Sequence, residues 1–83
     1  KIKSFIIICM EDKVIGIVEK NTREQIRVTR KNYRGYEFID VRVYWKDETT
    51  QEWKPSSKGI SLSPKTIPQI VEHIITGAEE LGL

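Results

Sequence analysis

Eighty-three residues with a net charge of +2 make one domain, 1–83, of a size that buries only about 60–65% of the surface its unfolded chain exposes, so stability is marginal unless a second copy adds burial. A single cysteine, Cys9, excludes an internal disulfide and suits a reducing compartment, and the longest apolar run, Phe5 to Met10, is far too short to span a membrane, so a soluble protein is expected. The charge is concentrated: residues 20–46 hold eight bases (Lys20, Arg23, Arg27, Arg30, Lys31, Arg34, Arg42, Lys46) against Glu24, Glu37 and Asp40, a local +5, which suits a polyanionic partner as well as it suits a solvated strand face.

Along the chain, FIIICM and VIGIV are β-branched runs on either side of Glu11-Asp12-Lys13, which predicts an N-terminal β-hairpin within residues 1–22. Asn21 to Glu24 is a polar connector. From Gln25 the residues alternate, Ile26 and Val28 to one side, Arg27, Thr29, Lys31 and Tyr33 to the other. Asn32-Tyr33-Arg34-Gly35 turns the chain, with Gly35 free to take the positive φ of a tight hairpin. The next strand, YEFIDVRVYW, puts Ile39, Val41, Val43 and Trp45 on one face and Tyr36, Phe38, Asp40, Arg42 and Tyr44 on the other. Lys46 to Glu52 is a polar loop, and Trp53 restarts an extended segment whose Pro55 and Gly59 suit an irregular or edge strand.

The last third changes period from two to 3.6. Ile67, Ile70, Val71, Ile74, Ile75, Ala78 and Leu81 form one apolar stripe and predict a helix. Two starts compete: Ser63 as cap with Pro64 in the first turn, or Thr66 as cap with Gln69 completing a capping box, the second favoured by Pro68. Gly82 suits the end. The expected fold is α+β, antiparallel strands followed by one C-terminal helix.

Chemistry is scarce. His73 and Cys9 are single and no carboxylates join them at ligand spacing, so no metal or cofactor is expected. The serines of PSSKGISLSP lack a nucleophile elbow, and Ser57-Lys58-Gly59 reverses the order a phosphate-binding loop needs. An enzyme is not expected. What remains is a surface: Lys31, Tyr33, Arg34, Tyr36, Arg42 and Trp45 interleave rings with cations, as a grip on single-stranded nucleic acid requires. Ordinary hairpin-end aromatics explain Tyr33 and Tyr36 equally well, and strict alternation turns Trp45 away from Arg42, toward a core.

Three blocks in this order, Y-R-G at Tyr33–Gly35, I-D-V-R-V-Y-W at Ile39–Trp45 and K-P-x-x-K-G-I-S-L-S-P at Lys54–Pro64, followed by one helix, resemble the positive cofactor four family of transcriptional coactivators. The resemblance covers about residues 26–75, which it marks as a coactivator-like core. It implies a curved antiparallel sheet of about four strands with the N-terminal hairpin 1–22 as an extension, one helix, and a homodimer that binds single-stranded DNA largely without regard to sequence. By the same resemblance Tyr33 and Trp45 stack bases while Arg34, Arg42 and Lys58 meet the backbone; Lys31 and Lys54 join them as further cations. Strong strand curvature would let Arg42 and Trp45 reach one ligand. Ser57 and Tyr36 stand where the family often has basic residues, which implies fewer phosphate contacts and more stacking, and the loop 46–52 is slightly longer than usual. The implied role is in transcription or in DNA repair and replication, in the nucleus of a eukaryote or otherwise in the cytoplasm or nucleoid, with DNA, a second copy and the transcription machinery as partners and no membrane. RNA is a variant ligand of the same surface, and a protein-interaction or dimerisation module is the competing reading.

Overall fold

Period-two alternation interrupted by polar turns produces four antiparallel strands, β1 (Lys13–Glu19), β2 (Glu24–Tyr33), β3 (Tyr36–Lys46) and β4 (Trp53–Leu62), and the 3.6-residue stripe produces one helix, α1 (Ile67–Glu80). The computed structural model describes residues 12–83. The strands form an open, curved sheet in the order β1-β2-β3-β4, each pairing with its neighbour in sequence. VIGIV therefore lies in β1, the outer strand among the described residues, running from Lys13 opposite Arg30 to Glu19 opposite Gln25. Its expected hairpin mate, FIIICM, lies outside the described residues.

The β2–β3 turn has the geometry its sequence predicts. Arg34 and Gly35 both take positive φ, 53° and 89°, as a two-residue type I′ hairpin demands, and Asn32 Oδ1 accepts the Gly35 N–H at 3.1 Å. Glycine adopts that conformation freely, whereas arginine does so at a cost of about 1 kcal/mol. The β3–β4 loop is closed by Asp47, whose Oδ1 accepts the amides of Thr49 (2.8 Å) and Thr50 (3.3 Å) and whose C=O accepts that of Gln51 (2.7 Å).

The irregularity expected of β4 is real and has a cause. Gly59 pairs with Arg42 and Pro55 with Tyr44, so Ser56, Ser57 and Lys58 all face the single residue Val43. Ser56 Oγ donates to Val43 O at 2.7 Å and accepts the Lys58 amide at 3.1 Å, which replaces ladder bonds lost at the bulge. At position 59 any Cβ would sit 2.7 Å from Val41 O and 2.8 Å from Arg42 Cβ, so only glycine lets β4 approach β3 there.

Cross-strand register sorts the side chains into two faces. One carries Ile26, Val28, Ile39, Val41, Val43, Ile60 and Leu62; the other carries Gln25, Arg27, Thr29, Lys31, Phe38, Asp40, Arg42 and Tyr44. Among the described residues the only buried side chains are Gln25, Thr29 and Asp40, all on the polar face, and no apolar side chain is buried. The chain exposes 6896 Å², against about 5,100 Å² for a globular monomer of this mass. The radius of gyration, 15.5 Å, is likewise above the ~12 Å of a compact chain of this length.

α1 accounts for part of that excess. Val71 (46%), Ile74 (65%) and Ile75 (53%) are exposed along its stripe. Thr66 is the N-cap residue, but the expected capping box does not form. At φ −94°, ψ −15° Thr66 is already helical rather than extended, and its hydroxyl donates backward to Ser63 O at 3.1 Å. The other end follows its sequence: Gly82 has φ 86°, its amide bonds Glu79 O (3.0 Å) and the Leu83 amide bonds Ala78 O (3.0 Å), a Schellman closure.

Candidate nucleic-acid interface

The β2–β3 hairpin delivers the first aromatic group to solvent. Tyr33 and Tyr36 are register partners on either side of the turn, 62% and 77% exposed, and the Arg34 guanidinium lies 5.2 Å from the centre of the Tyr33 ring. Lys31, half-buried, follows on the same face opposite Phe38.

A second group forms at the far end of β3. Trp45, 40% exposed, pairs with Glu24 of β2 on one side and with Lys54 of β4 on the other. Lys54 Nζ lies 2.9 Å from Asp47 Oδ2. That contact holds the Asp47 carboxyl below its ordinary value, helped by the Thr49 amide, and raises the Lys54 ammonium. Lys58 is exposed at the β4 bulge and near enough to Glu24 to favour its ionised form. Beside the ring runs a cleft of about 450 Å³ lined by Asn21, Thr22, Arg23, Glu24, Trp45 and Lys46.

Arg42 stands apart. Its register partners are Arg27 and Gly59, on the polar face, opposite in parity to the face that carries Trp45. Its guanidinium donates from Nε to Asp40 Oδ2 (3.0 Å), from Nη2 to Asp40 Oδ1 (2.9 Å) and from Nη1 to Ser56 O (3.0 Å). Three of five N–H donors are thus engaged within the chain, and the side chain is 21% exposed. Asp40, with Ser61 Oγ donating to it at 3.1 Å, is held below the ordinary carboxylate range, first by the Arg42 hydrogen bonds.

Two pairings were not legible beforehand. The Arg27 guanidinium packs over the Tyr44 ring at 4.3 Å, and Lys46 lies 5.9 Å from the ring centre of Trp53. Alternation put Arg27 and Tyr44 on one face of their respective strands, but only the register makes Tyr44 the diagonal neighbour of Arg27. Trp53 is half-buried as the cross-strand partner of Lys46 rather than a free platform. Among the described residues no cluster of His, Cys, Asp or Glu could hold a metal ion, and no helix is long and apolar enough to cross a membrane.

Comparison with known proteins bears on this surface. The family model for Transcriptional Coactivator p15 (PC4) matches residues 20–73, from the β1–β2 connector to the middle of α1. The RNA polymerase II transcriptional coactivator SUB1 of Saccharomyces cerevisiae is 38% identical over 55 residues, 66% of this chain and 19% of that protein. The chain thus spans about a fifth of that relative's length. Among solved structures, a PC4 homolog from Burkholderia pseudomallei superposes with a TM-score of 0.75 at 28% identity, covering 82% of this chain and 98% of the other. The bacteriophage T5 homolog of the eukaryotic transcription coactivator PC4, implicated in recombination-dependent DNA replication, does so with a TM-score of 0.61 at 25% identity, covering 89% and 99%.

Proposed function

The chain belongs to the transcriptional coactivator p15 (PC4) family, and we propose from that premise that it is a homodimeric single-stranded-DNA-binding protein. It grips melted DNA largely without regard to sequence, in transcription or in DNA repair and replication. The observation that carries this reading is the exposure of Tyr33, Tyr36 and Trp45 on sheet positions, with Arg34 beside Tyr33 and Lys54 beside Trp45. A ring that packs in a core gains nothing from a charged neighbour, whereas a base-stacking platform needs one for the phosphate.

Tyr33 and Trp45 are the platforms, Tyr33 with Lys31 and Arg34 near the hairpin on the face that carries Arg42, and Trp45 with Lys54 and Lys58 on the opposite face, each stacked base contributing about 1–3 kcal/mol. Arg42 keeps two free N–H donors and serves chiefly as the anchored cation that fixes β4 against β3. The homodimer is supported by the uncovered stripe of α1, where Val71, Ile74 and Ile75 stand exposed in one row. In a eukaryote such a protein works in the nucleus, in a bacterium or an infected cell with the nucleoid. RNA remains a variant ligand, because stacking tolerates both sugars.

The test is a titration with a labelled thymidine oligonucleotide at two salt concentrations, following tryptophan emission in a Trp53→Phe background and, for Trp45→Ala, the anisotropy of the label. Quenching that depends on Trp45 and weakens with salt is expected. Emission indifferent to the oligonucleotide, or binding untouched by both salt and Trp45→Ala, would remove the nucleic-acid reading in favour of a protein-interaction module.

A further inference from the structure

Stacking and phosphate contacts accept any base, but the Trp45 cleft is also lined by a carboxylate, which does not. The ring sits in a row across three strands, with the Glu24 carboxylate on its β2 side and Lys54 on its β4 side, next to the bulge that carries Lys58. A nucleotide stacked on Trp45 with its phosphate toward Lys54 and Lys58 turns the edge of its base toward Glu24. The cleft on that side, about 450 Å³, is within the range of small-ligand sites.

Glu24 is positioned rather than loose. Its C=O accepts the amides of Lys20 (3.0 Å) and Asn21 (3.1 Å), which pins the turn. Oε1 accepts Asn21 Nδ2 at 3.0 Å and lies 3.5 Å from Lys20 Nζ, while Oε2 takes no hydrogen bond from any described residue. The Asn21 hydrogen bond, with Lys20 and then Lys58 adding charge, holds the carboxyl below its ordinary value, so at neutral pH the group accepts and never donates.

Beside a stacking platform, an acceptor-only group discriminates by what the facing Watson–Crick edge presents. Guanine presents two adjacent donors, N1–H and the N2 amino group, and a carboxylate accepts both. Thymine flanks its single N3–H with two carbonyl oxygens, which a carboxylate repels. Adenine and cytosine each offer one amino group beside an acceptor nitrogen. We infer that the Trp45 cleft is a guanine-preferring base subsite and that Glu24 is the residue that selects.

The inference rests on the single-strand reading, and the experiment separates the two. Fluorescence anisotropy compares a labelled thymidine tract with the same tract carrying isolated guanine, hypoxanthine or adenine substitutions, for the wild-type chain and for Glu24→Gln. The guanine tract is expected to bind the wild-type chain about 5–10-fold more tightly than the thymidine tract, the low end for a bidentate contact that is partly exposed. Hypoxanthine, which lacks the N2 amino group, falls between them. In Glu24→Gln the preference disappears while thymidine binding tightens, which also reports that the variant is folded. Equal affinity for guanine and thymine in the wild-type chain overturns the subsite and leaves the single-strand reading standing. An adenine tract as tight as the guanine tract, or a guanine preference that survives Glu24→Gln, assigns the effect to purine stacking and overturns the role of Glu24. Absence of binding to every tract removes both readings.

Discussion

Asp40 and Arg42, two residues apart on one face of β3, are joined by two hydrogen bonds of 3.0 and 2.9 Å, and Asp40 is only 2% exposed. The pair holds more than itself: Arg42 Nη1 reaches Ser56 O at the β4 bulge and Ser61 Oγ reaches Asp40 Oδ1, so both ends of β4 are tied to one ion pair. Arg42→Ala leaves a buried carboxylate with one hydroxyl partner, and we expect it to destabilise the fold by about 2–3 kcal/mol, below the range for fully buried pairs because the guanidinium is 21% exposed. Thermal unfolding checks this, and a midpoint within a degree or two of wild type would show that Arg42 is free to serve the ligand alone.

The same pair fixes a pH dependence. The folded pKa of Asp40 is depressed by the Arg42 hydrogen bonds and, less strongly, by Ser61, against burial, which pushes it up. A depressed carboxylate stabilises the fold fully above its unfolded pKa, about 3.9, and loses that contribution as the pH falls through the lower folded value. The melting midpoint should therefore be level from about pH 7 to 5 and fall steeply below about 4. Asp40→Asn should start lower at neutral pH and show a shallower acid limb. Glu24 and Asp47, also held low, leave a residual slope in the variant.

Lys54 and Lys58 flank the same ring but differ in what their charge already does. Lys54 is committed to Asp47 at 2.9 Å, whereas Lys58 is exposed and forms no ion pair within 4.0 Å among the described residues. Removing Lys58 should reduce the slope of log affinity against log salt by about 0.7, the value for one phosphate contact on a single strand. Lys54→Ala should reduce it less, because Asp47 then stands unneutralised and the local charge falls from a weaker start. Equal slopes for the two variants would mean that DNA displaces Asp47 from Lys54.

Much of the fold could be read from local pattern, because each strand and the helix has a clean period and each turn has its own chemistry. Arg34-Gly35 and Gly82 needed only local backbone rules. The capping at Thr66 failed because capping depends on the cap residue's own φ and ψ, which the backward bond to Ser63 O changes. The site was legible as a set of rings and cations but not as an arrangement. Alternation separated Trp45 from Arg42, and the register agrees, giving Trp45 to Glu24 and Lys54 and Arg42 to Arg27 and Gly59. Glu24 was invisible as a neighbour of Trp45: twenty-one positions of sequence separate two residues that the β2–β3 register makes adjacent.

Arg34 occupies a left-handed position that asparagine or glycine would fill at less cost, beside a ring it partly covers. Such strain persists where a side chain is needed for something other than folding. Arg34→Asn should raise stability by about 0.5–1 kcal/mol, several degrees in the melting midpoint of a domain this size, while weakening single-strand binding. A variant that is both more stable and equally tight in binding would strip Arg34 of its proposed role.

The helix stripe is the surface on which the proposed dimer is tested. Ile74 and Ile75 are 65% and 53% exposed, and covering what remains of each would return about 1–2 kcal/mol. Single aliphatic side chains on a surface are ordinary, but here Val71, Ile74, Ile75 and Leu81 form one continuous row on a helix with little of its length against the sheet. Covering that row with the same row of a second copy satisfies both chains at once, since a two-fold contact uses one patch twice. Sedimentation of the wild-type chain at micromolar concentration should therefore give the mass of a dimer, and Ile74→Glu should shift it to the monomer, because a carboxylate buried at a two-fold axis would face its own copy. The variant should also lose apparent thermal stability in a concentration-dependent comparison, since the midpoint of a dimer rises with protein concentration and that of a monomer does not. A wild-type chain that sediments as a monomer would overturn the dimer, and an Ile74→Glu variant that remains a dimer would move the interface off α1 and onto the apolar face of the sheet, where Ile60 is 56% exposed.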